Sequence, residues 1–168
     1  KFIDEIDIKG KTLFIRVDFN VPLDQNRNIT DDTRIRAVLP TINYCLEGDA
    51  KVVLASHLGR PEGQREEAFS LAPVARRLAY RLHKNVKQAQ DCVGPEVDQA
   101  KAEMKPGDVL LLENLRYHPE EEENDQDFAR ELMKGIAVYV DDAFAVAHRA
   151  HASVEAVTHF APICVGGF

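Results

Sequence analysis

Residues 12–20 read Thr-Leu-Phe-Ile-Arg-Val-Asp-Phe-Asn, a nearly continuous apolar run that ends in polar side chains. Alternation of apolar and polar residues is typical of a strand with one buried face, whereas a continuous run indicates a strand covered on both faces. Strands of that kind form parallel sheets with helices on each side. This stretch therefore favours an α/β fold and predicts polar groups where the strand ends.

The same kind of run recurs along the chain and alternates with segments of helical period. The apolar runs are Thr12–Val17, Val52–Ala55, Val86–Ala89 (the weakest), Val109–Leu112, Ile136–Val140 and Ile163–Val165. The intervening apolar spacing predicts helices over Asp32–Leu46, Ser70–His83, Pro95–Met104 and Asp125–Lys134. This order predicts a doubly wound, Rossmann-like α/β fold, with a parallel six-stranded sheet in three layers. No internal repeat or linker divides residues 1–168, so we expect a single domain.

The composition excludes several functional classes. Of the 168 residues, 45% are hydrophobic and 29% are charged, which is ordinary for a globular domain and too apolar for general disorder. Asp and Glu outnumber Lys and Arg by 28 to 21, and the net charge of −7 argues against non-specific binding of nucleic acid or anionic membranes. No apolar stretch reaches the roughly 18 residues of a membrane helix, and no signal-peptide pattern is present. We therefore expect a cytoplasmic protein that binds any anion through a local cluster of basic residues.

The cysteines give a weaker indication of the state of the thiols, and the chain ends give one of the extent of the chain. Cys45, Cys92 and Cys164 are odd in number and form no C-x-x-C pair, so we expect reduced, buried thiols rather than disulfides or a zinc site. The chain begins at Lys1 without a Met and ends at Phe168 just after an apolar run. Both ends suggest a piece cut from a longer chain.

Basic side chains cluster at the positions where the apolar runs end. Ligands of open α/β sheets bind beyond the carboxyl ends of the strands. The basic residues at these ends, with one from the start of the first helix, are Arg16, Arg34, His57, Arg60, Arg116, His148, Arg149 and His151, and Asp18 and Asn20 lie beside them. Arginine grips phosphate or carboxylate oxygens bidentately, and Asp or Asn suits a hydroxyl. The set predicts a compact, multiply anionic ligand such as a small phosphorylated carboxylic acid.

Several of these residues also have an interpretation that involves no ligand. A single Arg after a strand is commonly a surface ion-pair partner, and Asp141 and Asp142 could cap the next helix. His148 and His151 have a spacing that could ligate a metal on a helix, but no third ligand is evident. The acidic run at 120–123 is interpreted as a solvated helix start.

Two further patterns are discounted as sites. His83, His118 and His159 are interpreted as surface or packing residues. Gly10-Lys-Thr12 resembles the tail of a P-loop, but Glu5 occupies the required glycine position and the piece precedes a strand.

Four segments resemble the N-terminal, substrate-binding half of the phosphoglycerate kinase family. They are Arg16–Pro22 (RVDFNVP), Ser56–Pro61 (SHLGRP), Leu112–His118 (LENLRYH) and Asp142–Ser153 (DAFAVAHRAHAS), in the family's order and approximate spacing. In the last segment, Ala145 and Val146 stand where the family often has Gly and Thr. The resemblance covers residues 12 to 153.

The resemblance implies a glycolytic enzyme that transfers phosphate between 1,3-bisphosphoglycerate and ADP, giving 3-phosphoglycerate and ATP. It implies substrate-binding roles for Asp18, Phe19, Asn20, Arg34, His57, Leu58, Gly59, Arg60, Arg116 and Arg149, and a basic patch that includes Arg16, His148 and His151. Arg34 is implied to lie nearest the transferring phosphoryl group, as the catalytic residue. No cofactor or metal is expected in this chain, because MgATP or MgADP is implied for a C-terminal domain that these residues lack. Alone, residues 1–168 are expected to be a monomer that binds 3-phosphoglycerate without turnover.

Two other functions fit the same residues. A non-catalytic module could use the crevice to bind an anion for regulation. A metal-dependent phosphatase could use Asp141, His148 and His151.

Overall fold

A computed structural model describes residues 1–143 and 149–168 and shows a single parallel sheet. Its strands are β1 (Thr12–Val17), β2 (Lys51–Ala55), β3 (Lys87–Gln88), β4 (Val109–Leu111), β5 (Val138–Asp142) and β6 (Ile163–Gly166). They lie in the order β3-β4-β2-β1-β5-β6, and every pairing is parallel. The predicted six-stranded parallel sheet is confirmed.

Within the described ranges, five α-helices connect the strands. They are α1 (Thr33–Glu47), α2 (Ala72–Leu82), α3 (Pro95–Ala102), α4 (Pro119–Glu122) and α5 (Gln126–Leu132), with 3₁₀ turns at Ile3–Glu5, Glu67–Phe69, Leu115–Tyr117 and Ala156–His159. The four predicted helices correspond to α1, α2, α3 and α5. The one-turn α4 is additional, because four residues are too few for a periodic pattern.

Two apolar layers cover the sheet and explain the continuous hydrophobicity of the strands. Leu13 and Ile15 of β1 pack with residues of α1 and α2 on one face. Phe14 packs with residues of α3 and α5 on the other face. Since successive side chains of a strand point to opposite faces, both sets must be apolar. The predicted three-layer α/β architecture is confirmed.

One carboxylate joins the two helices of the first layer. Asp32, at the start of α1, is 2.9 Å from Arg36 Nε, 3.0 Å from Arg77 Nη1 and 2.8 Å from Arg81 Nη2. Two of those arginines belong to α2, so the start of α1, where Arg34 lies, is fixed relative to α2.

The structure of the described residues also tests the expected burial of the cysteines and the expected absence of a membrane helix. Cys45 and Cys92 are buried free thiols as expected, but Cys164 is exposed on β6, so the expectation of burial was wrong there. No helix in the described ranges is both long and apolar enough to cross a membrane.

Candidate anion-binding site at the carboxyl edge of the sheet

The pairing register of the sheet places the polar carboxyl ends of β1, β2 and β5 side by side. Arg16 of β1 lies opposite Ala55 of β2 and Asp141 of β5. The residues that follow β1 and β2 therefore meet at one edge of the sheet, as the sequence predicted.

Arg16 lies beneath this edge and is fully buried. Its Nε donates to Ser153 Oγ at 2.8 Å, its Nη1 donates to the Val17 carbonyl, and its Nη2 lies 3.0 Å from His57 Nδ1. The guanidinium therefore supports neighbouring site residues from below, instead of lining the crevice.

His57 is held as a neutral donor. A guanidinium can only donate hydrogen bonds, so His57 Nδ1 must accept from Arg16 and the ring proton lies on Nε2. Burial, with the charges of Arg16 and Arg116, lowers the pKa of His57 to about 2. His57 thus contributes an N–H group, and not the positive charge that its place in the basic cluster suggested.

Arg34 reaches the site from the first turn of α1. Its Nη1 lies 3.2 Å from Asp18 Oδ2 and donates to the Asn20 carbonyl at 3.0 Å. The Asn20 backbone N–H donates to Asp18 Oδ1 at 3.0 Å, and Asn20 Oδ1 accepts from the Gly59 N–H at 2.9 Å. The segments after β1 and β2 are therefore joined, with the Arg34 side chain half exposed at their rim.

Gly59 occupies a position that no other residue fits. Its φ is +60°, and a Cβ there would lie 2.4 Å from the ring of Phe69. Arg116 Nη1 approaches the Gly59 carbonyl at 3.5 Å. The glycine thus lets the backbone after β2 pass between an aromatic ring and a candidate phosphate-binding arginine.

Asn114 was not among the predicted site residues, yet it organises this loop. It is fully buried, its Nδ2 donates to the Leu58 carbonyl at 2.7 Å, and its Oδ1 accepts from the Leu58 N–H at 3.3 Å and the Arg116 N–H at 3.0 Å. The sequence held one indication of this role, because Asn114 lies in the segment Leu112–His118 that carries the family resemblance. Leu58 and Phe19 are themselves buried, with their side chains in the core, and the N–H and carbonyl of Leu58 are already bonded to Asn114. Their ligand-binding roles stay predictions.

The remaining basic residues differ in exposure. Arg116 is largely buried, and burial lowers its pKa; its Nε has no hydrogen-bond partner in the described ranges, and Glu122 Oε1 lies 3.8 Å away. Arg60 and Arg149 are exposed. His151 is half buried, and burial lowers its pKa. His148 lies outside the described residues.

Glu121 is the largest departure from the sequence analysis. It is fully buried, so the interpretation of 120–123 as a solvated run was wrong at this position. Its Oε1 accepts from the Ser153 N–H at 2.8 Å and its Oε2 from Ser153 Oγ at 2.5 Å. Since Ser153 Oγ also accepts from Arg16, a continuous chain runs from Glu121 through Ser153 and Arg16 to His57.

The two aspartates at the end of β5 have separate surroundings. Asp141 Oδ1 accepts from the Ala143 N–H at 3.1 Å, closing a turn. Asp142 is buried, and its Oδ2 has no hydrogen-bond partner among the described residues. The capping role considered for this pair stays a prediction, as does the phosphatase alternative, because both depend on the segment that contains His148.

The assembled edge can bind a compact anion with several charges. It offers the guanidinium of Arg34 with Asp18 beside it, the partly unpaired Arg116, the exposed Arg60 and Arg149, and a neutral imidazole N–H. Guanidinium forks bind phosphate and carboxylate oxygens, and a fixed neutral donor adds a hydrogen bond without further charge.

Comparison with known proteins places this geometry in a family. The family model described as phosphoglycerate kinase matches residues 3–168. The phosphoglycerate kinase of Geobacter metallireducens is 60% identical over 169 residues, which cover 100% of this chain and 42% of that protein. The phosphoglycerate kinase of Geotalea uraniireducens is 61% identical with the same coverage.

Solved structures agree with the sequence comparison. The phosphoglycerate kinase of Pyrococcus horikoshii OT3 superposes with a TM-score of 0.89 at 35% identity, covering 99% of this chain and 42% of that one. The enzyme of Coxiella burnetii superposes with a TM-score of 0.87 at 37% identity, covering 99% and 41%. The chain thus spans less than half the length of the relatives it matches.

Proposed function

Because this chain belongs to the phosphoglycerate kinase family, we propose that it is the substrate-binding part of a glycolytic phosphotransferase. The reaction moves a phosphoryl group between 1,3-bisphosphoglycerate and ADP, giving 3-phosphoglycerate and ATP. The observation that supports this proposal is the carboxyl edge of the sheet, where the guanidinium groups of Arg34 and Arg116 donate to the backbone carbonyls of Asn20 and Gly59. We propose residues 1–168 as one substrate-binding domain and assign the nucleotide to the part of the relatives that the chain does not match.

Each wall of the crevice suits a different group of 3-phosphoglycerate. Asp18 accepts hydrogen bonds and Asn20 both donates and accepts, so they suit the substrate hydroxyl and the neighbouring carboxylate. Arg60, Arg116 and Arg149 suit the phosphate, because their charge is permanent and their geometry is bidentate. His57 adds a neutral N–H donor. The buried Arg16 holds His57 and Ser153 in place without touching the ligand.

The chemistry needs little from the protein beyond positioning. In the direction that forms 1,3-bisphosphoglycerate, the attacking group is a carboxylate that is already ionised at pH 7, so no general base is required. The transition state spreads negative charge over the phosphoryl oxygens, which positioned cations stabilise. Arg34, held by Asp18 and the Asn20 carbonyl, is the group of this chain that supplies such a cation.

Calorimetric titration of the chain with 3-phosphoglycerate, and separately with MgATP, tests the proposal. We expect 3-phosphoglycerate to bind and MgATP to give no tight binding. Arg116→Ala should weaken 3-phosphoglycerate binding by at least about 10-fold, since each lost charge-assisted contact is worth about 1.5–3 kcal/mol. Arg130→Ala is the matched control, because Arg130 pairs with Asp127 on α5. Tight MgATP binding without a response to 3-phosphoglycerate would overturn the proposal.

A non-catalytic anion-binding module would pass the binding test, so turnover must be measured as well. We propose that the chain alone is inactive, and that mixing it with the nucleotide-binding part of a relative restores turnover. Persistent inactivity of a mixture in which both parts bind their ligands would favour the module. A monomeric state and a cytoplasmic location also belong to the proposal, and equilibrium sedimentation and cell fractionation would test them.

A further inference from the structure

A second group of chemically capable side chains lies beside β3 and β4 and has no part in the proposed reaction. Asp91 and Cys92 follow β3, and His118 immediately precedes α4. One carboxylate oxygen, the Cys92 Sγ and one imidazole nitrogen all lie within 4.8 Å of one another. His118 lies 26 positions after Cys92 along the chain, which is why the spacing of the cysteines gave no sign of this cluster.

The distances are close to those of a tetrahedral metal centre. Zinc bonds of about 2.0–2.3 Å place neighbouring ligand atoms about 3.3–3.8 Å apart. Since the ligand atoms lie within 4.8 Å of one another, no pair needs to close by more than about 1.5 Å. Asp91 and His118 can supply that movement, since their side chains are 50% and 26% exposed. Carboxylate, thiolate and imidazole together form the mixed ligand set that zinc accepts.

The surroundings of His118 match those of a metal-binding histidine. Its Nε2 lies 2.6 Å from Asp91 Oδ1, on the side of the cluster. Its Nδ1 lies 3.9 Å from Glu120 Oε2, a buried oxygen with no hydrogen-bond partner in the part of the chain that the structure describes. A histidine that ligates metal through one nitrogen commonly donates through the other to a carboxylate. The ring of Phe128, with its centroid 5.0 Å from that of His118, fixes the imidazole.

The charges around Cys92 favour a cation. The carboxylates of Asp91, Glu121 and Glu113 surround the buried thiol, and Arg65 is the opposing charge. The thiol donates to the Glu113 carbonyl at 2.9 Å. A divalent ion would offset the negative charge that now opposes ionisation of this thiol.

A path from solvent to the cluster is present. A cavity of about 700 Å³ opens between β3 and α3, and Asp91 and Val93 form part of its lining. Water in this cavity therefore reaches the Asp91 side of the cluster, where it can supply a fourth ligand.

We propose that Asp91, Cys92 and His118 bind Zn²⁺, with a water molecule as the fourth ligand. On binding, the Cys92 S–H bond, the His118 Nε2–H bond and the Asp91–His118 contact break, and bonds form from the metal to sulfur, oxygen and Nε2. The thiol proton passes to solvent, and the Nε2 proton leaves so that the neutral ring keeps its one proton on Nδ1. The metal joins the segment after β3 to the turn that carries Arg116. Its role is structural, and it needs no participation in phosphoryl transfer.

Titration of the chain with Co²⁺ alone, followed by absorbance, tests this site. Bound Co²⁺ should give a thiolate charge-transfer band in the near ultraviolet and the visible bands of a tetrahedral ion, and equimolar Zn²⁺ should remove them. Cys92→Ser and His118→Asn should abolish the charge-transfer band or weaken binding at least about 10-fold. Glu120→Gln should weaken binding about 10–100-fold. Cys164→Ser and His83→Asn are matched controls that should leave the spectrum unchanged.

The effect of Zn²⁺ on the Tm is a second measurement, which distinguishes loss of metal binding from misfolding of a variant. Zn²⁺ at about 100 times its Kd should raise the Tm of the unaltered chain by about 5–10 °C. The gain should be lost in His118→Asn, whose side chain is partly exposed, and kept in His83→Asn. The proposal is wrong if the unaltered chain gives no cobalt spectrum, or if the spectrum persists unchanged in Cys92→Ser and His118→Asn. Loss of the spectrum in Cys164→Ser would also contradict it.

Discussion

At the scale of single residues, the site depends on an arginine that no ligand needs to touch. Arg16 is the largest fully buried side chain in the described ranges, and its three hydrogen-bond partners there, Ser153, His57 and the Val17 carbonyl, are all uncharged. A buried cation is stable only when hydrogen bonds and nearby opposite charge offset its desolvation. Glu121 supplies that charge through Ser153. The position of Arg16 within an apolar run was a sign of burial, because its neighbours in β1 are all core residues.

The His57–Arg16 contact predicts how stability depends on pH. The folded pKa of His57 is lowered to about 2 from 6.5, so its contribution to stability is fully present above pH 6.5 and is lost as the pH falls. Between pH 7.5 and 5.5 the free energy of unfolding should drop by about 1.4 kcal/mol from this group, because only the unfolded imidazole takes a proton. Urea unfolding at the two pH values measures the drop.

The variant His57→Gln isolates that contribution. Glutamine can still accept a hydrogen bond from Arg16, but it does not titrate. Its free energy of unfolding should therefore fall by about 1.4 kcal/mol less than that of the unaltered chain between pH 7.5 and 5.5. Equal falls in the two proteins would show that His57 is not held neutral in the folded state.

At the scale of elements, the long periodic segments were predictable and the short ones were not. Five apolar runs identified β1, β2, β4, β5 and β6, since a strand covered on both faces leaves a continuous signal in a few residues, and the weaker run Val86–Ala89 contained the two-residue β3. α4 has only four residues, so Glu121 carried no periodic sign of its burial. Its role depends on contacts with Ser153, 32 residues away, and such contacts leave no local trace. The cluster of Asp91, Cys92 and His118 was hidden for the same reason.

The buried carboxylate of Glu121 predicts that one substitution in α4 lowers the stability strongly, although this helix has only four residues. Glu121→Gln removes the charge opposite Arg16 and places an amide N–H₂ against Ser153, so we expect the free energy of unfolding to fall by about 2–4 kcal/mol. Glu123→Gln, in the same acidic run but exposed, should change it by less than about 0.5 kcal/mol. Chemical denaturation measures both. Similar small effects in the two variants would restore the interpretation of this run as a solvated one.

At the scale of the whole molecule, the net charge of −7 conceals the feature that matters for function. The total excludes a broadly basic surface, yet strand order gathers arginines at one edge and fixes them with local partners. Arg34 and Arg116 occupy different parts of that edge. Arg34 is half exposed at the rim and bound to Asp18, whereas Arg116 is largely buried against the Gly59 carbonyl. We therefore propose the deeper Arg116 for binding the substrate, and the outer Arg34 for the phosphoryl group of the proposed reaction.

That division predicts opposite effects for two arginine substitutions. In this chain, Arg34→Ala should change the Kd for 3-phosphoglycerate by less than about 5-fold, since exposed, screened contacts are worth about 0.2–1 kcal/mol. In the full-length protein, the same substitution should lower kcat by about 100–1,000-fold with a much smaller rise in KM, because a positioned donor acts on charge that develops in the transition state. Arg116→Ala should instead weaken binding in the chain and raise KM. A rise in KM for Arg34→Ala with kcat unchanged would assign Arg34 to ground-state binding and leave the proposed transfer without its cation from this domain.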